Sequence, residues 1–207
     1  MTITASPPAV CELPPPQVRF TCSFEETLRL RRSIRAYRRA PVTLGAAGQL
    51  LWAAQGITDG EGHRTSPSAG SVYPLEAVLI AGDVEGLDAG VFRYRPDRHR
   101  IDLVRSGDIR ALLARACLDQ EFIADASLSI LLLADGRAME EKYGAAAASY
   151  IAIEAGCALQ NMALQAVALD LGSVIIGAFH EPLLSELLEL STRQRPVSML
   201  TIGHPAP

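Results

Sequence analysis

The sequence predicts an α+β fold: a mixed central sheet flanked by helices, with one long helix at its centre. Three observations carry that prediction. The stretch Met139–Leu169 places Ile151, Ala155, Ala158, Met162, Ala166 and Leu169 at steps of three and four, the helical period. Short apolar runs at Leu75–Ala81, Ser127–Ala134, Ser173–Ile176 and Val197–Ile202 read as buried strands. Strands and helices mix without strict βαβ alternation, and no internal repeat is present.

The long helix is the organising element. At ~1.5 Å per residue, roughly 30 residues make a rod of about 45 Å. Ala145–Ala148, Gly156 and Cys157 keep its surface lean enough for another backbone to approach. A rod apolar over most of its circumference has to be covered on several sides. That makes it a central core helix and part of a subunit interface, with a core helix inside a monomer as the alternative. Glu154, Gln160, Asn161 and Gln165 interrupt Ile151–Leu169 and argue against a membrane span.

Composition narrows the class. A chain of 207 residues suits one domain with an appendage, and 49% hydrophobic against 20% charged residues describes a core-forming protein. A net charge of −4 gives no electrostatic footprint for nucleic acid. The basic residues are eighteen arginines and one lysine, Lys142. Four cysteines lack CxxC spacing and four histidines are scattered, so neither a metal site nor a disulfide framework is expected. With no charged-then-apolar leader, a reduced, cytoplasmic protein is expected.

Taken in order, residues 1–19 hold Pro7, Pro8 and Pro14-Pro15-Pro16, an extended arm without helix or ladder potential; residues 20–207 form the folded domain. Ser23 caps a helix from Phe24, with Glu26 at the reciprocal position of a capping box. Arg31, Arg32, Arg35, Arg38 and Arg39 then concentrate five arginines in nine residues. Two readings stay open for them, a solvated charge run or an anion cradle of forked donors. Thr43 caps a second helix, stopped at Gly56. The loop Gly60–Pro74 is polar and glycine-rich, and a loop of that length in a compact chain is more often functional than idle. Its centre, Ser66–Ser71, offers hydroxyls, free backbone and little bulk, so a flat ligand can lie against it. Val91–Arg95 and Arg100–Val104 form a hairpin turning at Pro96-Asp97. Ile109–Cys117 and Pro182–Leu190 are helices, and Gly172 closes the long one.

Four segments, in this order, carry a resemblance. They are Arg31-Arg32-Ser33-Ile34-Arg35; Ser66–Glu76 (SPSAGSVYPLE); Lys142-Tyr143-Gly144 followed by Glu154-Ala155-Gly156 and Gln160-Asn161-Met162; and Leu171–Phe179 (LGSVIIGAF). Over about residues 24–204 the chain resembles the FMN-dependent nitroreductase superfamily, in particular its SagB-type (McbC-like) azoline dehydrogenases. The resemblance implies a nitroreductase-like fold, an intertwined homodimer with FMN at the subunit interface, and hydride transfer to flavin N5. Arg31, Ser33 and Arg35, with Arg32 nearby, would hold the phosphate and ribityl chain. Pro67, Ser68, Ala69, Gly70 and Ser71 would line the ring, reaching from the partner subunit, and Ile176, Gly177 and Ala178 would face N5. Lys142 and Tyr143 match the branch's catalytic pair, base and proton relay, the lysine acting through a pKa lowered by burial. Two departures bear on substrate recognition: Ala145–Ser149 replaces the branch's charged ERxYR, and Ile175 stands where the branch has proline.

The expected activity is therefore dehydrogenation of thiazoline or oxazoline heterocycles in a modified peptide, with oxygen as final acceptor, beside a cyclodehydratase complex or alone. Two alternatives stand: an NAD(P)H-dependent nitro- or quinone reductase on the same fold, and a flavin-binding, non-catalytic partner subunit.

Overall fold

The computed structural model describes residues 10–207; Pro7 and Pro8 lie outside the described residues. In chain order the elements are β1 (Val10–Glu12), α1 (Phe24–Leu30), β2 (Tyr37–Arg38), β3 (Val42–Thr43), α2 (Leu44–Gln55), β4 (Leu75–Ala81), β5 (Val84–Glu85), β6 (Gly90–Arg95), β7 (Arg100–Ser106), α3 (Arg110–Ala116), α4 (Phe122–Asp125), β8 (Leu128–Asp135), α5 (Arg137–Tyr143), α6 (Ala147–Ala168), β9 (Gly172–Ile176), α7 (Glu181–Leu187) and β10 (Gln194–Pro205). The main sheet runs β1-β7-β6-β4-β8-β10-β2, with β9 also paired to β10. Its pairs are antiparallel, while β3–β5 and the Ser33–Ser173 bridge are parallel, so both senses occur.

Both faces of the sheet are covered. Along β8, Leu128, Ile130 and Leu132 pack toward α2 and α6, whereas Leu131 and Leu133 pack with α3 and α7 on the opposite face. Strand alternation is thus split between two apolar layers, which is why the segment reads as an unbroken hydrophobic run.

The expected single helix is broken. Gly144 takes φ +53, and a short 3-10 turn over Gly144–Ala146 separates α5 from α6. Glycine adopts positive φ without a Cβ clash, so the break costs little while the apolar periodicity continues across it. At the far end the left-handed residue is Asp170 (φ +56), and Gly172 is already strand. A Cβ at Gly172 would press on Ile34, so that glycine serves packing rather than helix closure.

The arm also departs from expectation. Val10–Glu12 pairs with β7, the Leu13 N–H donates to the His99 carbonyl at 3.2 Å, and His99 Nε2 donates to the Pro14 carbonyl at 2.9 Å. The prolines lack N–H groups, but residues 10–13 keep theirs, and an edge strand needs no more. Strand β10 extends beyond Val197–Ile202 at both ends because ladder bonds use backbone groups whatever the side chain.

Residues 137–168 match a membrane span by length and composition. Yet Glu154, Asn161 and Gln165 bond to the chain's own loop and to α2, and Ala155, Ala158, Met162 and Ala166 pack into the core. This is a core helix. Its uncovered face carries Tyr150 (36% exposed), Ile153 (62%) and the exposed Gly156.

Candidate flavin site

The serine–glycine loop is built from the inside out. Ser66, 1% exposed, donates its hydroxyl to the Ala54 carbonyl at 2.8 Å. Asn161 Nδ2 on α6 donates to the Thr65 carbonyl and to Ser66 Oγ, both at 3.1 Å. Two helical turns earlier, Glu154 Oε1 accepts the Ser68 hydroxyl at 3.0 Å and the Ala69 N–H at 2.7 Å. Arg64 braces the loop's ends: it donates to Gln55 Oε1 at 2.7 Å and stacks 4.7 Å over the Tyr73 ring, and burial pulls its pKa down. Within this frame Gly70, Ser71 and Tyr73 have φ of +59, +55 and +51. Left-handed backbone at a tyrosine is costly and persists only where surrounding bonds enforce it.

The loop meets the segment just before the helix break. Lys142 Nζ donates to the Gly70 carbonyl at 3.1 Å, and a Cβ on Gly70 would collide with Lys142 Nζ and Tyr143 Oη. Tyr143 packs edge-on against Tyr150 with ring centroids 4.9 Å apart. Lys142, Tyr143 and Gly70 therefore come together within one chain. Lys142 is exposed there, so the burial that its expected base role needs is not supplied by this chain alone.

The arginine segment stands on different supports. The Ser23–Glu26 capping box starts α1 as expected. At its other end Arg32 Nη1 donates to the carbonyls of Arg29 and Arg31, at 2.9 and 2.8 Å, so Arg32 closes the helix. Ile34 N–H donates to the Ser173 carbonyl at 2.9 Å, which lays Ser33 beside the start of β9. The Tyr37 hydroxyl, its pKa raised by burial, lies 2.7 Å from the Ile34 carbonyl and holds the segment down. Arg39 faces Asp125 at 3.8 Å. Arg31 and Arg35 make no side-chain hydrogen bond or ion pair among the described residues.

Strand β9 links this segment to the third one. Ile175 is 46% exposed, whereas Ile176, expected to face the ring, is buried in the β9–β10 ladder and its carbonyl accepts the Ser198 hydroxyl at 2.9 Å, so it offers a ligand no open surface within this chain. Gly177 and Ala178 are exposed, and a Cβ on Gly177 would meet nothing within 4 Å. The chain's own packing does not require that glycine, which leaves free space over the backbone. Unpaired guanidinium groups at one end of β9 and open backbone at the other fit a phosphate-bearing planar cofactor such as FMN.

The loop and the arginine segment do not meet within one chain. Ser68 sits on Glu154 near the start of α6, while α1 packs beside Leu164 and Ala168 near its end. At ~1.5 Å per residue these contacts are about 15–20 Å apart along α6. The loop-holding roles of Glu154 and Asn161 were missed by sequence reasoning. Their signal was present: two polar residues seven apart on an otherwise apolar helix face.

Comparisons with known proteins agree with this architecture. A model of the nitroreductase family matches residues 28–204. A protein of Methanocaldococcus jannaschii, provisionally named a nitroreductase, is 37% identical over 180 residues, 87% of this chain and 90% of that protein. A crystal structure from Ralstonia eutropha JMP134, also provisionally named a nitroreductase, has a TM-score of 0.85 at 27% identity, covering 100% of this chain and 97% of that one. A chain of the E. coli microcin synthetase McbBCD complex, with truncated pro-MccB17 bound, has a TM-score of 0.76 at 21% identity, covering 86% and 70%. That last likeness is one of fold alone. The matched span takes in every strand of the main sheet except β1, together with all four site segments; the chain belongs to the nitroreductase family of oxidoreductases, whose members generally use FMN.

Proposed function

We propose that the chain is an FMN-dependent dehydrogenase of azoline heterocycles in modified peptides, working as a homodimer. The observation that carries this reading is the convergence of Lys142 and Tyr143 on Gly70. Arg31 and Arg35, with Ser33, would hold the cofactor phosphate; Gly177 and Ala178 would face its ring, with Pro67–Ser71 opposite from a second copy. FMN, when bound, supplies two-electron chemistry and takes the hydride lost when an azoline becomes an azole. The proton lost in the same oxidation goes to the Lys142 amine, and the Tyr143 hydroxyl relays it outward. Tyr143 packs edge-on against Tyr150, which restrains its ring.

The dimer is supported by two features. The Tyr150–Ile153–Gly156 face of α6 is apolar and uncovered. The loop and the arginine segment also rest on separate parts of α6, so a second copy could bring a loop to each arginine segment. A second copy on that face would bury Lys142, which the base role requires. Cytoplasmic residence and work beside a cyclodehydratase complete the proposal; a fold neighbour from a synthetase complex is compatible with the latter.

A second reading, an NAD(P)H-dependent nitro- or quinone reductase, draws on the names of the relatives. Substitution separates them. Lys142→Ala is expected to abolish azole formation with FMN still bound. If azole formation is unchanged, the base role is wrong; if NADPH-driven nitroarene reduction is the activity present, the second reading holds.

A further inference from the structure

Glu154 is a buried carboxylate, 6% exposed, on the apolar face of a core helix. It makes no ion pair among the described residues. Both donors it meets belong to the loop: the Ser68 hydroxyl and the Ala69 N–H converge on Oε1. Ser68 Oγ accepts the Tyr73 N–H at 2.8 Å, which directs its own proton to Glu154. These three bonds tie both ends of the turn that contains the left-handed residues Gly70, Ser71 and Tyr73. Released from them, a segment with that backbone relaxes to commoner conformations.

The apex of the turn is the Gly70 carbonyl, which accepts from Lys142. Lys142 lies before the Gly144 break, so the α6 backbone does not dictate where its amine sits. The connection that does so runs from Glu154 through Ser68 and Ala69 to Gly70. We propose that Glu154 is a positioning residue: by gripping the start of the turn it aims the Gly70 carbonyl at the Lys142 amine and sets the location of that amine. The functional weight of this inference rests on Lys142 being the base, while the geometry stands apart from it.

Because Lys142 is the only lysine, its reactivity can be read alone. The full-length, FMN-loaded protein is treated with trinitrobenzenesulfonate at pH 8, and labelling of Lys142 is followed by peptide mass spectrometry. E154A, which frees the turn, is expected to raise the labelling rate about fivefold, the worth of one net hydrogen bond. E154Q keeps a carbonyl acceptor for both donors and is expected to stay within about twofold of the parent. A folded E154A variant labelled at the parent rate overturns the proposal. Should E154A not fold, S68A removes one of the two bonds and the Tyr73 anchor, and an unchanged rate there overturns it equally. Turnover distinguishes the two claims: unchanged azole formation in K142A removes the base role but leaves the labelling result standing.

Discussion

Thr65, Ser66, Ser68, Ala69 and Tyr73 all have hydrogen-bond partners within the chain, whereas the guanidinium groups of Arg31 and Arg35 have none among the described residues. Both regions are rich in polar groups and flank segments assigned to one cofactor. The loop is held by α6 and α2, whose bonds within the chain enforce its strained backbone. The arginine segment is anchored only through its backbone and through Arg32, and it presents its remaining charge to solvent. In the proposed site, the shape that has to be exact for a flat ring would be preformed, while the charges meant to grip a phosphate would be left free until one arrives.

The largest expected effect comes from breaking the free side. Arg31→Ala with Arg35→Ala removes two charge-assisted contacts of about 1.5–3 kcal/mol each. FMN affinity should fall at least about a hundredfold, measured by fluorescence titration. The melting temperature of the cofactor-free chain should not move, because these side chains make no hydrogen bond or ion pair among the described residues. A double variant that purifies fully loaded would end the cradle assignment.

The held side should respond in the opposite pattern. Gly70→Ala forces a left-handed alanine, about 1–2 kcal/mol, and drives its Cβ into Lys142 and Tyr143. It should lower thermal stability even without FMN. Asn161→Ala leaves the Thr65 carbonyl without its partner and should cost about 1–2 kcal/mol by denaturant unfolding, with FMN affinity changed less than in the arginine variant. If Asn161→Ala were the worse FMN binder, the division between a held side and a free side would fail.

The smallest effect concerns the arm. His99 Nε2 donates to Pro14, so Nδ1 is the unprotonated nitrogen and accepts from the Tyr94 hydroxyl at 2.9 Å. Burial lowers the His99 pKa, and the Pro14 carbonyl only partly offsets it. The folded chain thus binds this proton less readily than the unfolded chain. The neutral form's contribution is present above the ordinary value of about 6.5 and is lost as pH falls below it. Hydrogen exchange at Leu13, corrected for intrinsic rate, should be less protected at pH 5.5 than at pH 7.5; equal protection would exclude the coupling.

Much of this was legible in the residues. The Ser23 and Thr43 caps, the hairpin turning at Pro96-Asp97 and the buried strands follow from local chemistry within a few positions. Polar residues on α6 were legible as interruptions, but not as anchors, because their partners lie 85 to 96 residues away. The break at Gly144 was hidden because apolar periodicity continues through it. The pairing of Val10–Glu12 was hidden because the adjacent prolines dominate the local pattern.

By itself the sequence determined most of the helices and the long buried strands, with their starts within a few positions, and that the central helix keeps an apolar face its own chain leaves uncovered. Those properties depend on residues within one or two turns of each other. Only the tertiary structure decided that α6 grips the loop through Glu154 and Asn161, that Lys142 rests on Gly70, and that Arg31 and Arg35 stay unpaired among the described residues. Such contacts join groups far apart in the chain, and their geometry exists only once the packed sheet has set the distances between them.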